Sequence, residues 1–141
     1  MLDTNVVVSG LLWNGGPKRL MQAGNHGGIQ LFTSPPLLAE LAHTLSYPKF
    51  RRKIAASGLS VDQLVDLYSE LAAVVLPAQV PRIAPDPDDG VVIGTALAAR
   101  ADLLVTGDRA LLSVESYEGV RIVSVREALF AIDQGALQKN L

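Results

Sequence analysis

Short apolar runs alternate with helix-length segments along the whole chain, and no other feature of the sequence narrows the fold so far. The pattern is clearest towards the C-terminus. Asp88 or Asp89 can cap a helix running to Arg100, Leu103 to Thr106 reads as a buried strand, and Val120 to Val123 as the last strand. Ser124, with Glu127 three residues later, fits a capping box for a final helix through about Asp133. The helix from Val91 to Ala99 is Ala-rich and apolar nearly all round, as expected of a helix pressed closely against a sheet. Strands alternating with helices of this length pair in parallel through right-handed crossovers. The expected fold class is α/β, a three-layer α/β/α sandwich around a central, mainly parallel sheet of four to five strands.

The N-terminal half follows the same rhythm. After Asp3, the run Val6 to Leu12 ends at Asn14-Gly15-Gly16, and Pro17 stands where a helix starts, leading into Lys18 to Asn25. Ile29 to Thr33 reads as a strand between Gly28 and Ser34. Ser34 then acts as N-cap to a helix from Pro35 to about Ser46, which Pro48 terminates. Lys49 to Ser57 is helical and stops at Gly58; Ser60 caps another helix from Val61 to about Ala73. Val74 to Leu76 and Arg82-Ile83 are weaker strand candidates beside Pro77 and Pro81. There is no internal repeat or long linker, so residues 1–141 read as a single domain.

Composition removes several kinds of chemistry. With no cysteine, disulfides, thiolate ligands and a cysteine nucleophile drop out, and any metal must be held by oxygen or by His26 and His43. Those two histidines lack helical metal-ligand spacing and read as surface or packing residues. Ser9 and Ser113 have no paired His and Asp, and no glycine-rich phosphate loop is present. No apolar run approaches the roughly 18 residues of a membrane span, so no membrane association is expected and the cytoplasm is the expected location. A net charge of −2 argues against coating nucleic acid by bulk electrostatics, although local patches of either sign remain open.

What remains is acidic. Asp3 and Asp108 each follow an apolar strand segment, Met1-Leu2 and Leu103 to Thr106, and so stand at carboxyl ends, where open parallel sheets bind ligands. Capping the next helix is the plainer job for either aspartate alone. At about 100° per residue, Leu37, Leu38, Leu41 and Leu45 form the buried stripe of the third helix, with Glu40 on its flank. Asp86, Asp88 and Asp89 crowd a helix start, where the dipole favours negative charge. Carboxylates brought together raise one another's pKa and persist ionised mainly when a cation neutralises them. All-oxygen ligation suits Mg²⁺ or Mn²⁺, and with phosphate esters such an ion supports hydrolysis by water.

These residues also carry a resemblance. Leu2-Asp3-Thr4-Asn5-Val6, Ser34 to Leu41, Asp86-Pro87-Asp88-Asp89 and the run from Ala96 to Asp108 resemble, in order and spacing, the successive motifs of the PIN-domain family. Within it the chain looks closest to stand-alone prokaryotic PIN proteins of the VapC-like toxin ribonuclease kind. The resemblance implies a PIN-like fold in which Asp3, Glu40, Asp89 and Asp108 are catalytic and bind metal. Asp86 is a further candidate ligand, and Thr4, Asn5 and Thr106 are supporting residues. It implies Mg²⁺- or Mn²⁺-dependent hydrolysis of single-stranded RNA by the toxin of a toxin–antitoxin pair. The partners implied are RNA, a small antitoxin protein and a second copy of the chain in a homodimer. The alternative is a catalytically silent PIN fold that binds RNA or protein. In the family several apolar residues usually precede the first Asp; here only Met1 and Leu2 do, which predicts a native start further upstream, checkable by mass spectrometry.

For substrate, Arg109 beside Asp108, together with Arg51, Arg52 and Lys53, are the expected phosphate-binding cations, with Lys18, Arg19 and Lys49 as further candidates. Trp13, Tyr47 and Phe50 could stack a base, but aromatic residues beside apolar ones are usually core.

Overall fold

The computed structural model describes residues 1–81 and 88–134; the side chain of Asp88 also lies outside the description. The elements run α1 (Thr4–Leu12), α2 (Gly16–Asn25), β1 (Phe32–Thr33), α3 (Pro35–Leu45), a 3-10 turn (Pro48–Phe50), α4 (Arg51–Ser57), α5 (Val61–Leu71) and β2 (Ala73–Val74). They continue as α6 (Asp88–Ala99), β3 (Leu103–Val105), α7 (Arg109–Leu112), β4 (Ser116–Tyr117), β5 (Val120–Val123) and α8 (Val125–Asp133). The class is α/β, as the alternation predicts.

The sheet is more divided than expected. β1 pairs in parallel with β2, while β3 pairs in parallel with β5 and β5 antiparallel with β4. The chain start joins the second group: Met1 N donates to Leu103 O, Val105 N to Met1 O and Asp3 N to Val105 O, each at 2.9 Å, in a parallel bridge of Leu2 with Val105. Among the described residues the pairing is therefore mainly parallel but split into two small sheets. The physical reason is strand length: with two to four residues each, the strands offer few ladder bonds. The expected strand Ile29 to Thr33 shrinks to Phe32–Thr33, and Val74 to Leu76 moves to Ala73–Val74. The Arg82-Ile83 candidate lies outside the described residues.

Side chains of the strands alternate between two cores, which gives the layers. Leu2, Leu103, Val105 and Val123 enter one apolar cluster with residues of α1, α2, α3, α5 and α8. Met1, Leu104, Val120 and Ile122 enter the other with Val92, Ile93 and Ala96 of α6 and Leu111 of α7. All three residues of β3 are buried, as in a strand covered on both faces. The helix starts largely follow the capping pattern. Ser124 Oγ accepts from Glu127 N while Ser124 N donates to Glu127 Oε1, both at 3.1 Å, and Ser60 forms the same box with Gln63. Ser34 departs from it: its side chain makes no cap bond, because the buried hydroxyl lies 2.9 Å from Thr95 Oγ1 on α6. No helix among the described residues is long and apolar enough to cross a membrane.

Candidate functional site

The parallel bridge at Leu2 sets Asp3 beside the carboxyl end of β3, and Asp108 follows that end by three residues. Two acids distant in sequence thus share one rim of the sheet. Both also cap helices: Asp3 Oδ1 accepts from Thr4 N (2.8 Å) at the start of α1, and Asp108 Oδ1 accepts from Ala110 N (2.8 Å) at the start of α7. The plain capping role and a role in a site coexist, since an ionised carboxylate has about four acceptor sites and the cap bond uses one.

Thr106, fully buried, links the pair. Its hydroxyl donates to Asp3 Oδ2 at 2.7 Å and accepts from Asp108 N at 3.0 Å. On the other side, Thr4 Oγ1 donates to Glu40 Oε2 at 3.1 Å, tying α1 to α3. A hydrogen-bonded line therefore runs Asp108, Thr106, Asp3, Thr4, Glu40. Burial raises the Asp3 carboxyl above its ordinary value, and the charge of Asp108 adds to the rise; the Thr106 and Thr4 hydrogen bonds oppose it. Folding thus holds a carboxylate where its charge is disfavoured, a frequent mark of a working site.

The other expected residues fall as follows. Glu40 is exposed on the flank of α3, outside the stripe of Leu37, Leu41 and Leu45, as the helical spacing predicts. Asp89 is buried in the first turn of α6, at 7 % exposure. Asp86 and the Asp88 side chain lie outside the described residues. Asn5 is exposed, and Asp3 takes hydrogen bonds from Thr4 and Thr106, the other two residues expected to support it. Arg109, Arg51, Arg52 and Lys53 are exposed. Arg19 lies 3.8 Å from Asp133 of α8, and Lys18 lines a groove with Met21, Leu67 and Leu71 among α1, α2 and α5; neither was placed there by sequence reasoning. The Thr4–Glu40 link was also missed. Only the packing of α1 on α3 creates it.

Among the described residues no three His, Cys, Asp or Glu side chains are grouped closely enough to enclose an ion. The donor chemistry nonetheless fits a hard divalent cation. Mg²⁺ is commonly held by one or two carboxylates and completes its shell with water and phosphate oxygens. Asp3 and Asp108 supply two carboxylates, the first raised in pKa by burial and, to a smaller extent, by the second's charge.

Together these features define an α/β domain with paired acids at the carboxyl ends of its strands. The sequence model of the PIN domain matches residues 1–110, from before α1 into α7, and the chain belongs to the PIN-domain family. PIN domains are generally nucleases. No curated protein and no solved structure matches the chain.

Proposed function

We propose that the protein is a divalent-metal-dependent ribonuclease that hydrolyses phosphodiester bonds of single-stranded RNA. The observation that carries this reading is the pair Asp3 and Asp108, joined through Thr106 at the carboxyl ends of the strands, with the Asp3 carboxyl raised by burial and by its neighbour. In this reading Asp3 and Asp108 hold Mg²⁺ or Mn²⁺, with Glu40 and Asp89, or Asp86, completing the acidic set. When bound, the ion would lower the pKa of a water and offset charge on the phosphoryl oxygens.

The protein groups have separate tasks. Thr106 and the Thr4 N–H fix the Asp3 carboxylate through both of its oxygens, so that it meets a cation without rearranging. Thr4 Oγ1 fixes Glu40 in turn. Arg109 neighbours Asp108 in the chain and offers a guanidinium to the scissile phosphate, while Arg51, Arg52 and Lys53 bind the backbone further off. The reading extends to a cytoplasmic toxin restrained by a small antitoxin protein, and to a homodimer.

The test is cleavage of single-stranded RNA with Mg²⁺ or Mn²⁺ by the wild type, Asp3→Asn and Asp108→Asn, with circular dichroism confirming the fold. Residues that merely orient metal ligands are worth about 10- to 100-fold, so loss of a ligand is expected to cost about 100-fold or more. Undiminished cleavage in both variants refutes the reading. RNA binding without cleavage by the wild type would leave a silent binding module.

A further inference from the structure

We propose that Trp13, braced by Phe50, is a base-stacking platform for single-stranded RNA at the far end of α1 from the acids, with Tyr47, whose carbonyl accepts from Phe50 N at 3.0 Å, as a second exposed ring. The choice of RNA as ligand rests on the ribonuclease reading; the platform itself rests on separate observations. Trp13 and Tyr47 are 40 % and 42 % exposed, so neither ring is consumed by the core. Both are held in place. The Trp13 and Phe50 rings meet edge to face with centroids 6.1 Å apart, and His43 meets Tyr47 in the same manner at 5.3 Å. A ring fixed before binding loses little freedom when a base stacks on it.

Charge selects the occupant. Lys53 Nζ lies 5.2 Å from the Trp13 ring centroid and Lys49 Nζ 5.1 Å from that of Phe50. With Arg51 and Arg52 they put four cations into residues 49–53, and no Asp or Glu occurs between Glu40 and Asp62 in a chain whose net charge is −2. Flat apolar rings beside cations match a chain of stacked bases with phosphates between them. A base arriving on the indole would displace the Lys53 ammonium towards the adjoining phosphate.

The platform also lies on a track from the acids. Asn5, Ser9 and Trp13 follow at four-residue spacing on α1 and its C-cap, exposed, half-buried and exposed in turn. At about 1.5 Å per residue, Trp13 stands roughly 15 Å along the helix from Asp3. On α3, Glu40 and His43, with Tyr47 just beyond the helix, repeat the exposed stripe, and α1 packs on α3. A strand of a few nucleotides, within the roughly 4–16 that single-strand sites cover, can reach from one end to the other.

Trp13 is the only tryptophan, so its emission reports on its own face. The experiment titrates the full chain, in EDTA to prevent cleavage, with a short oligoadenylate and with an abasic ribose-phosphate oligomer of equal length. Oligoadenylate is expected to quench the emission and bind more tightly than the abasic oligomer. Stacking of about 1–3 kcal/mol per base predicts that Trp13→Ala weakens oligoadenylate binding about 5- to 150-fold, while Trp13→Phe retains part of the affinity. Binding without quenching, equal affinity for both oligomers, no binding at all, or wild-type affinity in Trp13→Ala overturns the platform. An emission change on raising protein concentration without RNA, together with no response to RNA, assigns the face to self-association instead. Quenching by RNA that the metal-loaded wild type never cleaves keeps the platform and removes the ribonuclease reading; cleavage without quenching does the reverse.

Discussion

The carboxyl of Asp3 is raised chiefly because burial disfavours its charge, with Asp108 adding to the effect. Such a group binds its proton more readily in the folded chain than in the unfolded one, so folding carries a cost that is fully present above the raised value. The cost is relieved as pH falls through that value towards the ordinary 3.8. Asp3→Asn removes the charge and keeps an oxygen for the Thr4 N–H, while its amide NH2 takes the place of the oxygen that accepts from Thr106 Oγ1, a change whose cost does not vary with pH. In EDTA the urea resistance of the variant relative to the wild type is therefore expected to rise as pH goes from about 4 to neutral, on top of a constant offset from the altered Thr106 contact. A difference independent of pH would sink this account. Asp3 and Asp108 were legible in the sequence because each ends an apolar strand segment. The line through Thr4 to Glu40 was not, since it spans 36 residues and exists only once two helices are packed.

The Ala-rich helix α6 shows the same contrast at the level of an element. Its apolar character announced close packing, and Ile93, Thr95 and Ala96 are all at or below 1 % exposure. Its partner on one side could not be read from the pattern: Ala78 N donates to Gly94 O at 2.9 Å, and a Cβ on Gly94 would collide with the carbonyl oxygen of Ala78. A backbone carbonyl has no rotamer by which to retreat. Gly94→Ala would gain about 1 kcal/mol of helix propensity, but overpacking against backbone costs about 1–3 kcal/mol, so a net loss is expected in chemical denaturation. Unchanged or greater stability would show that the Ala78 segment yields freely. The Ser124–Glu127 box was legible because its two residues are close in sequence and need no tertiary context. The β4–β5 hairpin was not: its turn places Glu118 and Gly119 at φ 45° and 89°, and Glu is a weak signal for a position that favours Asn, Asp or Gly.

For the whole molecule, alternating segments implied layers, and the opposite faces of β3 and β5 do enter two separate cores. The division into two sheets escaped because periodicity says which face a residue takes, while pairing depends on where each short strand ends. The same topology makes the candidate metal site a property of the folded chain alone. Asp3 and Asp108 stand 105 residues apart in sequence and meet only through the parallel alignment of residues 1–3 with β3. An ion held by both therefore binds the native state in preference to the unfolded one. At about 100 times its dissociation constant such a ligand stabilises by about 2.7 kcal/mol. For a chain of this length that corresponds to a rise in Tm on the order of 10 °C. Thermal unfolding of the wild type with saturating Mg²⁺ or Mn²⁺ is expected to show this rise, and EDTA to reverse it. Asp108→Asn, which keeps the Thr106–Asp3 contact but removes one carboxylate, is expected to lose most of it. Equal melting with and without either ion in the wild type would mean that the two acids do not form a divalent-metal site, whatever their proximity.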